Sequence, residues 1–302
     1  MALGDNSRGA AIMALSMASF TLNDTCMKFV TETLGVPTPE ATALRNFLVV
    51  AGLLLLAPRM GGLKLMLPGA QARLVALRSV GEVVSTGTYL YALKHMPLAN
   101  LSAIMQSLPL AVTLGAALFL REPLGWRRAG AILIGFLGVM LIVRPGPQGF
   151  DVWALLGLAS VAAVTLRDLA TRRLPRDVPS ITVAIYAAGS VCLLAVLSTG
   201  VDGGWPPVPP EAVILLFGAA CCLVVGYIAA VAAMRVGEVG FVAPFRYTSL
   251  LCAIALGWLV FGQFPGPLTM TGAAIVVATG LFTLYRERQL RRAALRAAAI
   301  GG

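Results

Sequence analysis

Two arginines interrupt long apolar stretches of this sequence, and they are the residues best suited to bind a ligand. Arg45 and Arg246 have no acidic residue three or four positions away on either side. An ionisable side chain within a membrane costs about 2.5–3.5 kcal/mol on insertion scales, so it faces a bundle interior and takes its partner from another helix or from a ligand. Both arginines are therefore candidates for substrate binding or gating, since a guanidinium can hold a planar anion through two hydrogen bonds.

Three pairs of opposite charges have the i,i+4 spacing that places both members on one helical face: Asp24 with Lys28, Arg78 with Glu82, and Asp168 with Arg172. Each pair can neutralise itself locally. For Asp24 and Glu82 two interpretations stay open, because each either serves only insertion or lines a polar cavity. In the second case either carboxylate could carry a coupling proton. For Asp168 the local pair is favoured, because Arg172 lies near a helix end and can extend to the interface.

Prolines indicate interrupted helices in two places. Pro109 follows Gln106, and Pro244 precedes Tyr247. A proline inside a helix frees backbone groups that neighbours, water or a ligand must satisfy. Gln106, Tyr247 and Tyr91 complete the candidate set, since tyrosine rings can stack on a flat substrate.

The apolar stretches that position these residues exclude a soluble protein. Of the 302 residues, 58% are hydrophobic and 12% are charged, whereas soluble domains carry about 25% charged residues. A helix of about 20 apolar residues crosses a hydrocarbon core. We predict an all-α integral membrane protein with ten transmembrane helices near residues 9–31, 40–57, 74–94, 97–120, 127–143, 151–172, 179–199, 211–234, 240–262 and 267–285.

Basic residues predict the orientation of these helices. Of the 23 lysines and arginines, 17 lie on one side of the predicted membrane, and only Lys94 and Arg144 lie in loops on the other. Because cytoplasmic loops retain positive charge, both termini are predicted to be cytoplasmic. The net charge of +10 has the same explanation, so no nucleic-acid partner is predicted. The first apolar stretch lacks a cleavage site and is interpreted as a retained helix.

The sequence contains none of the usual sets of residues for metal or catalytic chemistry. Its five cysteines fall within apolar stretches without CxxC spacing, and its one histidine, His95, lies in a short loop. No catalytic residue, cofactor or metal site is predicted, which disfavours a membrane-embedded enzyme. A protein that handles lipid carriers is another alternative, and it would have a groove open to lipid.

An internal repeat divides the chain into halves. The segment from Ala92-Leu93-Lys94 to Glu122 aligns with the segment from Ala233-Met234-Arg235 to Gln263 at an offset of 141. Near the start of each half, Asp24 and Lys28 align with Asp168 and Arg172 at an offset of 144. Because each half holds five predicted helices, the second half enters the membrane from the opposite side. Such inverted repeats place a substrate site near the midplane and allow alternating access.

The block from Arg78 to Gly138 resembles the EamA-type branch of the drug/metabolite transporter superfamily. The resemblance rests on Tyr91-Ala92-Leu93, Pro109, Arg121-Glu122-Pro123 and the glycine-spaced helix from Gly130 to Gly138. It covers nearly the whole chain and implies two EamA-type repeats, residues 1–148 with helices 1–5, and residues 149–302 with helices 6–10 and a short basic cytoplasmic tail. It also implies a central cavity. Gln263 departs from the family, which usually repeats an acidic residue there.

These observations predict a secondary transporter, or permease, of the cell inner membrane that moves a small polar or aromatic metabolite by alternating access. The candidate arginines and several tyrosines suit an anionic or aromatic compound. A vitamin such as riboflavin and an amino-acid-like compound both fit. Export of amino acids or toxic metabolites and transport of an adenosylmethionine-type compound are the alternatives. The predicted partners are the small-molecule substrate and the lipid bilayer, with protons in a coupled mechanism.

Overall fold

The structure is a computed structural model that describes residues 3–59, 62–64, 66–122, 124–143, 151–175, 178–199, 205, 207–236 and 239–300. Within these residues the chain forms helices joined by short connections. The α-helices are α1 (Leu3–Lys28), α2 (Thr38–Leu56), α3 (Gly69–His95), α4 (Leu98–Met105), α5 (Leu108–Phe119), α6 (Trp126–Val143), α7 (Val152–Arg172), α8 (Ser180–Thr199), α9 (Pro210–Val236), α10 (Val239–Val242), α11 (Thr248–Phe261) and α12 (Pro267–Ile300). A π-helical segment, Phe29–Thr33, continues α1, and 3₁₀ segments occupy Ala57–Arg59 and Ala243–Tyr247.

Local chemistry explains many of these helix ends. Pro39 and Pro109 lie in the first turns of α2 and α5, where a missing N–H costs nothing. Asp151 caps α7, because its carboxylate accepts a hydrogen bond of 3.2 Å from the backbone nitrogen of Trp153. The residue after α11, Gly262, has a φ of 64°, a left-handed conformation that suits glycine at a helix end.

Eight helical stretches are long and apolar enough to cross a membrane, among the described residues. They correspond to predicted helices 2 and 4–10, with α4 and α5 forming the single stretch Leu98–Phe119. Helices α1 and α3 are not among the eight, although their 26 and 27 residues give each a length of about 40 Å. Each carries several charged residues, which lowers its hydropathy. The count of ten therefore stays a prediction.

Side-chain contacts define two ends of the bundle. At the distal end, α1, α3 and α11 finish while α4 and α7 begin, and the rings of His95 and Trp153 stack there with centroids 3.7 Å apart. At the termini end, α1 and α8 begin while α5, α7 and α9 finish. There Arg172 at the end of α7 meets Glu122, just after α5.

The helices pair across the two halves of the chain. Helix α1 packs against α9, α3 against α7, α2 against α8, and α6 against α12. In the sequence repeat α1 corresponds to α7 and α3 corresponds to α9, so the α1–α9 pair is the counterpart of the α3–α7 pair. The α2–α8 and α6–α12 pairs each join two corresponding helices. This is the pattern expected of two halves related by a two-fold axis.

Apolar packing is concentrated at the distal end. The main core there includes Met27, Val30, Leu93, Leu98, Leu101, Ile104, Val139, Ile142 and Val276. Helices α6 and α12 cross with their backbones in contact, since a Cβ added to Gly272 would lie 2.5 Å from the carbonyl oxygen of Gly138. Three small clusters of described residues lie toward the termini end: Met13, Met17, Ala233 and Val242 in the first, Val49, Leu53 and Ala220 in the second, and Val75, Val178 and Val183 in the third. The two ends of the bundle are therefore packed very differently.

Candidate functional site

A cavity of about 800 Å³ lies between the two halves of the chain. Helices α1–α5, α7–α9 and α11, together with the 3₁₀ segment before α11, contribute its wall. It extends from Leu98, near the distal end, to Met13, Leu53 and Ser180, near the termini end. This volume falls within the range of small-molecule pockets, which is about 300–1,000 Å³.

The deep cluster, formed by Asn23, Asp24, Arg45 and Tyr89, occupies the inner wall of this cavity. The Asp24 carboxylate accepts hydrogen bonds from the Tyr89 hydroxyl at 2.7 Å and from the Asn23 amide at 2.9 Å. The Arg45 guanidinium donates to the Asn23 amide oxygen at 3.5 Å, and its Nε has no partner. Arg45 is 5% exposed and forms no ion pair within 4 Å in the described part of the chain. It therefore keeps hydrogen-bonding capacity for a ligand.

The mouth cluster, formed by Arg78, Glu82, Arg167 and Asp168, lies nearer the termini end. The Nη1 atom of Arg167 contacts both Glu82 oxygens, at 3.3 and 3.4 Å, and its Nη2 atom lies 2.9 Å from the Asp168 carboxylate. Arg78 lies 3.4 Å from Glu82, an ion pair without hydrogen-bond geometry. A Cβ on Gly81 would lie 3.0 Å from the Arg167 Cβ, so this glycine lets α3 approach α7 closely. The paired charges offset the cost of burial.

Both interrupted helices meet beside the cavity. The α4–α5 span breaks at Gln106 and Ser107, and the other break is the 3₁₀ segment Ala243–Tyr247. At the repeat offset of 141, Gln106 corresponds to Tyr247, so the two breaks are equivalent in position. The Gln106 amide donates a hydrogen bond of 2.8 Å to the Ser249 hydroxyl, and Ser249 lines the cavity. The breaks are thus joined to each other at the cavity wall.

Four of the seven predicted site residues line the cavity, namely Arg246, Arg45, Asp24 and Glu82. The Arg246 side chain is exposed and forms no ion pair with a described residue. Gln106 lies behind the wall and reaches it through Ser249. Whether these residues bind or gate a substrate stays a prediction.

Two predicted tyrosines lie away from this wall. Tyr247 packs against α12, where a Cβ on Gly280 would collide with its hydroxyl, and that hydroxyl has no hydrogen-bond partner. Tyr91 is 45% exposed and lines a separate pocket of about 220 Å³ that also includes Thr42 and Leu194. The geometry gives neither tyrosine a direct contact with the central cavity.

Of the three possible local charge pairs, one forms and two do not, and the pair favoured for Asp168 is one of those that do not. Arg78 and Glu82 do pair. Lys28 pairs with Glu32, while Asp24 turns to Tyr89 and Asn23. Asp168 pairs with Arg167, and Arg172 pairs with Glu122. Lys28 thus pairs with the acid four positions later instead of the one four positions earlier, and Asp168 and Arg172 find partners next to them in sequence or on another segment.

The sequence analysis missed Arg167 and Tyr89 as wall residues. Arg167 lies within the predicted sixth helix and has no acidic residue three or four positions away, so the criterion that selected Arg45 also selects it. Tyr89 gives no such signal, because its partner Asp24 lies 65 positions earlier and meets it only through tertiary packing.

Comparisons with known proteins agree with this architecture. A family model described as the EamA-like transporter family matches residues 7–144 and 151–285. One crystal structure superposes with a TM-score of 0.64 at 20% identity, over 94% of this chain and 99% of its own. At that identity, the likeness shows a shared fold.

Several curated bacterial relatives are transporters. A riboflavin transporter from Vibrio cholerae is 27% identical over 94% of this chain and 96% of its own length. A pseudopaline exporter from Pseudomonas aeruginosa is 27% identical over 89% of this chain and 93% of its own. An S-adenosylmethionine uptake transporter from Rickettsia conorii is 23% identical over 67% of this chain and 68% of its own.

Proposed function

Because this chain belongs to the EamA-like transporter family, whose curated relatives move small metabolites, we propose that it carries its substrate across the inner membrane by alternating access. The observation that carries the proposal is the cavity of about 800 Å³ enclosed by both halves of the chain. It reaches the termini end and is blocked at the distal end, as one state of an alternating-access cycle requires. The predicted transporter and the resemblance to this family are confirmed.

Ten membrane helices in two inverted repeats, with residues 1–148 and 149–302 as the two units, form the proposed framework. The counterpart pairing of α1–α9 with α3–α7 supports it. We place both termini in the cytoplasm, because basic residues predominate on that side. In this orientation the cavity is open to the cytoplasm.

A riboflavin-like vitamin is the first substrate candidate. Two riboflavin transporters, from Vibrio cholerae and Rhizobium johnstonii, are each 27% identical and match 94% of this chain. The cavity wall combines apolar residues with Tyr89 and Tyr227, and it has room for a fused aromatic ring system. Aromatic side chains beside polar groups suit a flat molecule with a hydrophilic tail.

An amino-acid-like compound is the second candidate, and the deep cluster favours it. Asp24 and Arg45 place opposite charges on the same wall, which matches a molecule that carries both an ammonium and a carboxylate. The adenosylmethionine-type compound named for one relative also carries such a group. In this alternative Arg45 holds the carboxylate, while Asp24 or Glu82 remains a candidate carrier of a coupled proton.

In this proposal Arg246, Arg45, Asp24 and Glu82 contact or gate the substrate directly. Gln106 and Tyr247 act indirectly, since they hold the two helix breaks beside the cavity. Tyr91 does not line the central cavity, so a substitution at Tyr91 serves as a control.

The test is uptake into proteoliposomes of labelled riboflavin, neutral amino acids and S-adenosylmethionine, compared between the parent protein and Arg246→Ala. We expect transport of one compound class to fall about tenfold or more in Arg246→Ala, because a cavity charge is lost while insertion is eased. Arg127→Ala is the matched control, since Arg127 is exposed outside the cavity. Equal transport by Arg246→Ala and the parent would remove Arg246 from the site, and no transport of any compound would contradict the substrate assignment.

A further inference from the structure

We propose that Lys28 is the gate that closes the distal end of the cavity, and that its repeat counterpart Arg172 closes the termini end in the opposite state. This inference rests on the proposed alternating-access function. It adds to that function a pair of residues, one from each half, that exchange roles during the cycle.

The Lys28 ammonium is buried and fully bonded. Its side chain is 1% exposed, and its Nζ lies 2.8 Å from the carbonyl oxygen of Leu93, 3.0 Å from that of Met96 and 2.5 Å from a Glu32 carboxylate oxygen. A lysine has three N–H donors, and all three have acceptors here. Opening this end would exchange these charge-assisted hydrogen bonds for bonds to water, so the contacts favour the closed end.

These contacts join three separate helices at one point. Lys28 is the last residue of α1, and Leu93 belongs to the last turn of α3, whose free carbonyls carry partial negative charge. The ring of Phe261, at the end of α11, lies 5.4 Å from the ammonium, and the Phe29 ring lies 6.5 Å from the Phe261 ring. One cation thus links the distal ends of α1, α3 and α11.

The Lys28 contacts lie where a gate at the distal end of the cavity would have to lie. Leu98, which lines the cavity near the distal end, comes two residues after Met96, and the Lys28 contacts lie at that level or beyond. The helix continues from Lys28 into the π-helical segment Phe29–Thr33, a rare geometry that is often found at functional sites. This segment positions Glu32 beside the ammonium.

Arg172 is the counterpart of Lys28 in the second half of the chain. In this structure its side chain is not docked on helix-end carbonyls of the described residues. It aligns with Lys28 at an offset of 144 and ends α7, the counterpart of α1. Its side chain is 48% exposed and lies 3.4 Å from the 50%-exposed Glu122 carboxylate. In the repeat, the carbonyl of Leu93 corresponds to that of Met234, in the last turn of α9. When the termini end closes, Arg172 docks on the carbonyls there, as Lys28 docks on α3 now.

A lysine that only capped α3 would stabilise the fold equally in both states. A gate would instead shift the balance between the states, since removing a contact made in one state alone changes their populations. The two counterparts therefore have opposite expected effects, and this difference separates a gate from a simple structural contact.

The experiment measures sided labelling of a Leu98→Cys reporter in the full-length protein, with the five native cysteines replaced. A membrane-impermeant maleimide is applied to right-side-out and inside-out vesicles. Phe264→Cys, at a site 67% exposed between α11 and α12, identifies the vesicles that present the distal end. In those vesicles we expect slow labelling of Leu98→Cys, because the distal end is closed.

Lys28→Met should raise that labelling rate about tenfold, and Arg172→Met should lower it about tenfold, since each removes the contact that holds one state. Glu32→Gln should act in the direction of Lys28→Met but more weakly, and it keeps the test decisive if Lys28→Met does not fold. Rates that stay unchanged, or that move in the same direction in both variants, would overturn the gate assignment.

Transport is measured in parallel with the compounds named above. Opposite labelling shifts without transport of any of them would uphold the gates and contradict the proposed substrates. Transport that persists without a labelling response would uphold the transporter and contradict the gates.

Discussion

The distal and termini ends of this bundle are built from corresponding segments, yet they are packed in opposite ways. At the distal end Lys28 is 1% exposed and sits above a broad apolar core. At the termini end its counterpart Arg172 is 48% exposed, and the cavity extends between small clusters. In the proposed alternating-access cycle, this difference between the two ends would correspond to one state of the molecule.

The same comparison distinguishes the contacts that stabilise the fold from the charged groups that line the cavity. The distal contacts of α6 with α12 are backbone to backbone, which makes that crossing rigid. The deep and mouth clusters depend on charges that a neighbouring helix must neutralise. Substitutions at the distal crossing should therefore mainly lower stability, whereas substitutions in the deep and mouth clusters should change both stability and transport.

Gly272→Leu should break the distal packing and have the largest effect. Its side chain would meet the backbone of Gly138 and Ile142, which cannot move aside as a flexible side chain could. We expect a loss of about 3 kcal/mol in the free energy of unfolding, or failure to accumulate. Thermal unfolding of a detergent-solubilised fluorescent fusion measures it.

Gly130→Leu is the matched control for that change, because Gly130 aligns with Gly272 in the repeat and has no atom near its added Cβ. It should unfold at nearly the parent temperature. Equal destabilisation in both variants would show that the two ends are packed with the same tightness.

Glu82→Gln should have the next largest effect, because it leaves the guanidiniums of Arg78 and Arg167 without their shared counter-charge. Removing one partner of a buried ion pair costs about 3–5 kcal/mol, and contact with the cavity reduces this to about 2 kcal/mol here. Unfolding and transport should both be measured.

Glu122→Gln removes the negative charge from the exposed ion pair with Arg172. It should change the free energy of unfolding by less than about 0.5 kcal/mol. A large loss in Glu122→Gln would mean that the termini end is held together as firmly as the mouth cluster.

Tyr89→Phe should lower the free energy of unfolding by about 1 kcal/mol, less than Gly272→Leu and Glu82→Gln, because it removes one hydrogen bond from the Asp24 carboxylate. Transport should fall as the deep cluster loses its orientation. Tyr91→Phe, two positions along the same helix but outside the central cavity, should leave transport unchanged. If Tyr89→Phe and Tyr91→Phe transport at similar rates, the deep cluster does not take part in substrate binding.

Most helices could be predicted from the sequence, because hydropathy reports burial in lipid directly. The last helix shows the limit of that signal. It was predicted to end near residue 285, whereas α12 continues to Ile300. The residues after Arg286 are mainly alanine, arginine and leucine, which favour helix despite their charge, so hydropathy falls where helicity does not.

Site residues could be predicted where the signal was the absence of an acidic partner nearby in the sequence. Arg45 and Arg246 lacked local partners, and both line the cavity. For Lys28 the spacing allowed two acids, Asp24 four positions earlier and Glu32 four positions later, and only the structure shows that Glu32 is the partner and that the end of α3 offers free carbonyls nearby. Partners that arise from tertiary packing leave no periodic trace in one sequence.

The length of α12 has a consequence for the membrane surface. Its 34 residues extend about 51 Å, whereas a hydrocarbon core is about 30 Å thick. The part beyond the core carries Arg286, Arg288, Arg291, Arg292 and Arg296. Each arginine near an anionic lipid surface gains about 1 kcal/mol. An anionic leaflet should therefore attract the end of α12 that extends beyond the hydrocarbon core.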